Sequence, residues 1–112
     1  MDTRLLIAEY RQAALASDEL VDVPRQNQSA DTVHACYKLL RATEEGRIAI
    51  VELMSDPSPH VRAWAAAHSL AWSPAIAKKV LEALRDEDVF PYSFDAQLTL
   101  KEFEKGTLSF DY

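Results

Sequence analysis

The sequence predicts an all-α protein of five to six helices, arranged as about three helical hairpins in one domain over residues 1–112. The chain has only two glycines in 112 residues and is rich in alanine, leucine, glutamate and arginine, which favour helices. No segment before residue 107 alternates between apolar and polar side chains as a half-buried strand would. The chain also matches itself at an offset of 30 residues, which is typical of stacked helix–turn–helix units. Two separate domains are excluded, because each would be too small for an ordinary core without metals or disulfides.

The first hairpin is predicted over residues 1–46. Its first helix begins after Asp2 or Thr3 and runs to about residue 16. Apolar side chains recur there at helical spacing and mark the face that is buried.

The second helix of this hairpin is expected to begin only after a connection. Residues 20–28 contain Pro24 and amide or basic side chains, and we predict that they form this connection. Ser29 or Asp31 then caps the helix, and Gly46 follows it as the residue that stops it.

The second hairpin is predicted over residues 47–73. A short helix spans about 47–54, and a turn with two nearby prolines occupies 55–59. A longer helix follows over about 59–72.

The third hairpin is predicted over residues 74–106. Ser73 followed by Pro74 is the usual start of a helix, with a serine cap and proline in the first turn. This helix runs to about residue 85 and leads into an acidic loop over residues 86–92.

The last helix is predicted to be capped by Ser93 and to stop before Gly106. In the tail 107–112, Leu108, Phe110 and Tyr112 alternate with polar residues. The tail either folds back over the last helix, which we favour, or pairs in extended form with another chain.

The internal repeat resembles a known family of helical repeats. At the offset of 30 residues, segment 51–56 aligns with segment 81–86 and the helix after each also aligns. The pattern Leu53-x-x-Asp56-x-x-x-x-Val61-Arg62-x-x-Ala65-Ala66 resembles the HEAT-repeat core. Residues 61–106 look like a family of small bacterial HEAT-like domains. The resemblance implies a short right-handed stack of hairpins and no catalytic residues.

The same resemblance implies structural roles for Asp56, Val61, Arg62 and Ala65. Asp56 and Arg62 form the pair that ties the turn of one repeat to its neighbour, so loss of Arg62 should weaken the fold. The sequence departs from the family in two places: Ser69 stands where a leucine is expected, and the last hairpin has Pro91-Tyr92 in place of Val-Arg.

The helix over 59–72 is apolar almost all round, which predicts that neighbours cover both of its sides. His68 lies on one apolar face, and we favour a core histidine bonded to a backbone carbonyl over a ligand or a pH-sensitive contact. Trp64 and Trp72 are expected in the core rather than as anchors for a partner. His60, in the first turn, is expected to be exposed.

Composition and spacing argue against several kinds of chemistry. Cys36 is the one cysteine, and His34, His60 and His68 are scattered, so we predict no metal site and no disulfide. Two distant glycines cannot form a phosphate-binding loop. We therefore predict no cofactor and no enzymatic activity.

The chain is also expected to be cytoplasmic and to avoid membranes and nucleic acids. A lone cysteine suits a reducing compartment. No segment is long and apolar enough to be a signal or a membrane helix. A net charge of −6 opposes binding to phosphate backbones.

The negative charge is concentrated near the carboxyl end. Residues 1–81 hold ten acidic and nine basic side chains, whereas residues 82–112 hold eight and three. A solvated acidic face is the simplest interpretation. The alternative is a docking surface for a basic protein, with apolar anchors nearby. The candidate residues for partner binding are Asp86, Glu87, Asp88, Phe90, Tyr92 and Asp95.

Three functions follow from these observations. The first is a non-enzymatic module that binds a protein partner through its acidic carboxyl-terminal surface, with the oligomeric state left open. The second is an immunity or antitoxin protein that covers a basic, nuclease-like toxin. The third is a HEAT-like enzyme acting on DNA, with Trp64 and Trp72 contacting a base, which the acidic charge disfavours.

Overall fold

The computed structural model describes residues 2–17 and 23–110, and for residues 23–27 it describes the backbone alone. The described residues form six α-helices and no strand. The helices are α1 (Thr3–Ala16), α2 (Val23–Leu40), α3 (Glu44–Glu52), α4 (Pro59–Ser69), α5 (Pro74–Asp86) and α6 (Tyr92–Lys105). A 3₁₀ turn, Leu53–Ser55, follows α3. The all-α class and the number of helices are confirmed.

Helix α1 has the bounds that the sequence predicts. The Asp2 carboxylate caps it by accepting a hydrogen bond of 2.8 Å from the Arg4 amide. Leu6, Tyr10 and Ala13 are buried on the face that packs against the rest of the domain.

Helix α2 begins earlier than expected. The predicted connection over 20–28 is wrong for residues 23–28, which are already helical, and residues 18–22 lie outside the described part. Pro24 occupies the first turn, where the missing N–H has no partner within the helix in any case. Neither Ser29 nor Asp31 is a cap, since both lie inside the helix.

Gly46 does not stop α2, which already ends at Leu40. Instead it lies in the first turn of α3, where its amide donates a hydrogen bond of 3.0 Å to the Thr43 hydroxyl that caps this helix. A Cβ at Gly46 would overlap the carbonyl oxygen of Leu40 and lie 2.7 Å from its carbonyl carbon. Glycine is therefore needed here for the close approach of two helix ends.

The second half of the chain follows the predicted order with shifted ends. Helix α4 stops at Ser69, and Trp72 lies in the turn after it, where the Trp72 and Ser73 amides both donate to the Ser69 carbonyl. Helix α5 starts at Pro74 as expected, but the Ser73 side chain makes no capping hydrogen bond.

Helix α6 begins at Tyr92, so Ser93 is inside the helix and is not its cap. Its other end is as predicted. Gly106 has a left-handed φ of 73°, and the Thr107 amide donates a 2.9 Å hydrogen bond to the Glu102 carbonyl.

Helix α4 lies at the centre and contacts α1, α3, α5 and α6. Its Val61, Ala65 and Ala66 are completely buried. Small alanine side chains permit close approach of the neighbouring helices from both sides. The 30-residue offset pairs the end of α3 with the end of α5, and α4 with α6.

The tail packs against its own domain over the described residues 107–110. Leu108 and Phe110 are partly buried against the core. Tyr112, the third residue of the alternating pattern, lies outside the described residues. In the described part of the chain, no helix has the length and apolar character to cross a bilayer.

Asp56 pairs with Arg11 of α1 and not with Arg62. The Arg11 Nε donates to one carboxylate oxygen at 2.6 Å, and its Nη2 donates to the other at 3.3 Å. The Ser58 amide adds a hydrogen bond of 2.9 Å. These bonds hold the pKa of Asp56 below its usual range, with the Arg11 bond as the largest cause and the charge of Arg62 as the smallest. Asp56 thus ties the turn before α4 to α1 through the Arg11 guanidinium, and in the described residues it has no hydrogen bond to Arg62.

We expect Arg11→Gln to destabilise the fold more than Arg62→Gln. The first variant leaves the nearly buried Asp56 carboxylate without its two bonds, whereas the Arg62 Nε is buried without a hydrogen-bond partner in the described part. Urea unfolding at pH 7 should show the lower midpoint for Arg11→Gln.

The difference between Arg11→Gln and the natural chain should also depend on pH. A lowered carboxylate pKa stabilises the fold above the ordinary value of 3.8 and is lost as the pH falls through the folded value. The gap should therefore close in strong acid. A larger loss for Arg62→Gln at pH 7 would contradict the assignment.

Candidate functional site

The turn between α5 and α6, with the first turns of α6, places exposed acidic and apolar side chains side by side. We call this surface the corner patch and define it by seven exposed residues: Asp86, Glu87, Asp88, Val89, Phe90, Phe94 and Leu98. Four of the six residues that the sequence nominated for partner binding belong to it.

The apolar part of the patch is unusually open. Phe90 is 79% exposed and Phe94 is 51% exposed, and their ring centroids are 6.4 Å apart. Leu98 follows Phe94 by one helical turn and is 43% exposed. Single exposed apolar residues are ordinary, but a group of them beside polar residues marks an interaction surface.

The acidic part of the patch is only partly neutralised. Asp86 accepts a 3.0 Å hydrogen bond from its neighbour Arg85, and both side chains are exposed. Within the described ranges, Glu87 and Asp88 have no ion-pair partner. Asp88 has a left-handed φ of 55°, which aspartate tolerates better than most residues, and it ends the turn after α5.

Tyr92 and Asp95 are turned away from the patch toward α4. The Tyr92 ring lies edge-on to His60 with centroids 5.6 Å apart. His60 is half-buried and joined to the Ser17 hydroxyl by a hydrogen bond of 2.8 Å, so its expected exposure is wrong. Partial burial raises the pKa of Asp95, and the nearby His60 acts in the opposite direction.

Asp95 lines a cavity of about 290 Å³ between α4 and α6, which we call the acidic cavity. A second carboxylate, Glu102, also lines it, and Trp64 and Phe110 form part of its apolar wall. No lysine or arginine is among its described lining residues. Leu98 belongs both to this cavity and to the corner patch, so the two form one continuous surface.

His68 lies at the centre of an aromatic cluster. Its ring stacks on Tyr37 with centroids 4.0 Å apart and meets the Phe110 ring edge-on at 4.7 Å. Trp64 and Tyr10 lie 5.6 and 5.7 Å away on other sides. His68 is completely buried, as the sequence predicts, but no backbone carbonyl of the described residues bonds it.

The actual partner of His68 is the hydroxyl of Tyr10, 2.7 Å from Nδ1. The other ring nitrogen, Nε2, is buried with no hydrogen-bond partner in the described part of the chain. Burial lowers the pKa of His68 to about 3, and the charges of His34 and Arg41 contribute to this shift. The imidazole is therefore neutral at physiological pH. Burial likewise raises the pKa of Tyr10 well above its ordinary value, with smaller contributions from Tyr37 and Cys36.

A second and larger cavity, of about 600 Å³, lies on the other side of this cluster. The carboxyl end of α2, the start of α3, the end of α4 with the turn after it, α6 and the tail surround it. We call it the basic pocket and define it by nine lining residues: Tyr37, Lys38, Arg41, Arg47, His68, Trp72, Phe103, Leu108 and Phe110. Its described lining contains three cationic side chains and no acidic one.

Sequence reasoning missed the basic pocket. Its signal was weak but present, because Lys38 and Arg41 are one helical turn apart and Arg47 follows in the next helix of an acidic chain. Trp64 and Trp72 were expected in the core. Both are only half-buried against it: Trp64 lines the acidic cavity and Trp72 lines the basic pocket.

The described residues contain no group of three histidine, cysteine or carboxylate side chains that could hold a metal. Cys36 is buried, and burial raises the pKa of its thiol, with a smaller contribution from Glu9. A raised pKa keeps the thiol protonated and poorly reactive.

Comparison with known proteins gives a family and a structural relative. A family model described as a domain of unknown function (DUF2019) matches residues 8–104. The crystal structure of the protein RPA1889 from Rhodopseudomonas palustris CGA009 is similar, with a TM-score of 0.89 and 27% sequence identity. The match covers 97% of this chain and 93% of that one. A search of curated proteins finds no match. Since the family model spans most of the chain, the protein belongs to the DUF2019 family.

Proposed function

We propose that this chain is a non-enzymatic, cytoplasmic module that binds a protein partner with a basic surface through the corner patch and the acidic cavity. The observation that carries the proposal is the exposure of Phe90, at 79%, beside Phe94. The carboxylates of Glu87 and Asp88 lie next to these rings and have no ion-pair partner among the residues that the structure describes. A chain that uses this surface only for solubility would gain nothing from two adjacent exposed phenylalanine rings.

The two components of the patch have separate physical roles. Burial of the Phe90 and Phe94 rings against a partner supplies affinity, since each square ångström of apolar surface removed from water contributes about 25 cal/mol. Glu87 and Asp88 attract a basic surface from a distance and speed up association. A bound complex is therefore expected to depend on both components in different ways.

The acidic cavity supports a partner that presents lysine or arginine. A long basic side chain could lay its methylene groups along Trp64 while its charge reaches Asp95 and Glu102 at the lining. The raised pKa of Asp95 has the same basis, because the carboxylate is partly removed from water and a cation would favour its charged form. Asp95 thus acts as an anchor for a basic side chain, and Tyr92 supports the cavity from its His60 contact.

The HEAT-like pattern of α3 to α6 adds support, because stacked helical hairpins commonly present extended surfaces to other proteins. An immunity role is a special case of the same proposal, in which the basic partner is a nuclease. Both would use the same patch.

The test is affinity capture from the native lysate with the natural chain and two altered chains. Phe90→Ala should reduce the affinity for the true partner by about 30-fold, as for a central aromatic anchor. Glu87→Lys combined with Asp88→Lys should slow association by about tenfold or more at low salt, and the difference should shrink at high salt. Both effects are measured on the purified partner by surface plasmon resonance.

Two matched controls separate the patch from general effects. Leu5→Ala removes another widely exposed apolar side chain, at 69% exposure, on α1. Glu9→Lys with Glu52→Lys changes the net charge equally at exposed positions outside the patch. If every protein retained by the natural chain is retained equally by both patch variants, the proposed docking surface is wrong. Because Phe90 is exposed, its loss should change stability by less than about 0.5 kcal/mol.

A further inference from the structure

We propose that the basic pocket binds a small organic anion, a carboxylate or a phosphate ester, that carries a flat aromatic ring. This site is separate from the corner patch and does not depend on the function proposed for it. Three independent features of the lining point to this ligand class: its charges, its buried donors and its rings.

The charges are concentrated against the trend of the whole chain. Lys38 lies in the last turn of α2 and Arg41 directly follows this helix. The Arg47 guanidinium is held beside Arg41 by a 2.7 Å hydrogen bond from Nη1 to the Arg41 carbonyl. No described acidic side chain lines the pocket, although the chain has a net charge of −6. Three cationic side chains on one lining attract an anion more strongly than a single one would.

Arg41 is also oriented by its neighbours. Its guanidinium lies over the Tyr37 ring, 5.0 Å from the centroid, and its Nη1 donates to the Tyr37 hydroxyl at 3.4 Å. A planar guanidinium so held presents a fixed geometry to a carboxylate or phosphate group.

Two buried polar atoms of the lining have no hydrogen-bond partner in the described part of the chain. The Trp72 Nε1–H is buried and has no partner in the described part of the chain. His68 Nε2 is in the same state. When the Tyr10 hydroxyl donates to Nδ1, the neutral imidazole carries its proton on Nε2. Buried donors are normally satisfied, so the Trp72 N–H, joined in this tautomer by the His68 Nε2–H, indicates a missing acceptor.

The remaining lining is aromatic and apolar. Tyr37 and Trp72 lie nearly parallel, with an interplanar angle of 18° and centroids 6.1 Å apart, and Phe103 and Phe110 complete the wall. A volume of about 600 Å³ is in the range of small-molecule sites. An inorganic ion would satisfy the charges but leave these rings unused, so the ligand should carry a ring of its own.

The test is an NMR titration of the full chain, followed through the two indole N–H signals of Trp64 and Trp72. Substitution of Trp64 by phenylalanine assigns the two signals. The probes are indole-3-acetate for a carboxylate and adenosine monophosphate for a phosphate, at low salt. We expect at least one of them to shift the Trp72 signal to saturation with a dissociation constant below about 1 mM, and to move Trp64 much less. The probe that saturates the signal identifies the acid group.

Two sets of controls make the result decisive. Indole and adenosine carry the ring without the charge and should bind at least about fivefold more weakly. Lys38→Gln with Arg41→Gln should weaken binding by at least about fivefold, whereas Lys79→Gln with Lys101→Gln, at exposed positions outside the pocket, should leave it unchanged. Lys38→Gln alone, at an exposed position, repeats the test if the double variant folds poorly. The proposal is overturned if neither anion shifts the Trp72 signal at concentrations up to about 10 mM. It is also overturned if indole and adenosine bind as tightly as the anions, or if the variants of Lys38 and Arg41 bind the anions as tightly as the natural chain does.

Discussion

The folded protein is expected to lose stability steeply as the pH falls from 6.5 toward 3, because His68 is buried in its neutral form. The pKa of His68 in the folded protein is about 3, against an ordinary value of 6.5. Between these values the unfolded chain binds a proton that the folded chain excludes. The stabilisation is therefore complete above pH 6.5 and is lost as the pH falls to about 3.

The size of this effect is comparable with the stability of a small domain. Each unit of difference in pKa corresponds to about 1.4 kcal/mol, so the loss between pH 6.5 and pH 3 is on the order of 4 to 5 kcal/mol. A domain of this length is usually stable by only about 5 to 15 kcal/mol. Arg41 and His34 add to the effect, since their charges disfavour an imidazolium at His68.

Urea unfolding of the natural chain and of His68→Gln, measured from pH 7 to pH 4, tests this expectation. His68→Gln should be less stable at pH 7, because it disturbs the ring contacts with Tyr37 and Phe110. Its stability should nevertheless fall much less with pH. Tyr10→Phe is the matched control, because it removes the hydrogen bond but keeps the titrating ring, and its pH slope should remain steep.

Equal slopes for His68→Gln and the natural chain would show that other groups cause the acid loss. The Asp56 carboxylate does not confuse the measurement. Its lowered pKa acts mainly below the ordinary value of 3.8, beneath the range from pH 7 to pH 4 in which the two chains are compared.

Local signals in the sequence predicted the parts of this fold that depend on local chemistry. The Asp2 cap, the helical run of α1 and the left-handed stop at Gly106 each depend on residues within one turn of one another. The burial of His68 followed in the same way from its position on an apolar helix face.

The errors arose where a distant contact decides the outcome. Arg11 reaches Asp56 from 45 residues away, and nothing in the repeat pattern around Arg62 indicates this. The Tyr10 hydroxyl replaces the expected carbonyl on His68 for the same reason, since α1 packs on α4. Pro24 was interpreted as a sign of a connection, although proline is equally common in the first turn of a helix.

The same distinction between local and distant contacts applies to the candidate site. The acidic loop and Phe90 are consecutive in the chain, so their proximity was visible in the sequence. The basic pocket was not visible in the sequence, because its lining residues come from α2, α3, α4 with the turn after it, α6 and the tail, which are far apart in the chain. The HEAT-like stacking stays a prediction that supports the proposed function.

Gly46→Ala is expected to destabilise the protein by about 3 kcal/mol, although the same change usually strengthens a helix. In an ordinary helix, alanine is favoured over glycine by up to about 1 kcal/mol. At this position the added methyl group meets the backbone of Leu40, 2.7 Å from its carbonyl carbon and 2.8 Å from its Cα. A backbone contact cannot be relieved by turning a side chain, so the ends of α2 and α3 must move apart.

That movement would also disturb the Thr43 cap and the Arg47 bond to the Arg41 carbonyl, both of which span this corner. Thermal unfolding should show a midpoint lowered by roughly 10 °C. Gly106→Ala is the matched control, because a Cβ there has nothing within 4 Å and meets only the strain of a φ of 73°. It should cost about 1 kcal/mol, and Gly106→Asn should cost less, since asparagine tolerates the left-handed region. If Gly46→Ala proved as stable as the natural chain, the ends of α2 and α3 would lie farther apart than the Leu40–Gly46 contact requires. Arg41 and Arg47 would then be held less firmly at the basic pocket, because both lie at this corner.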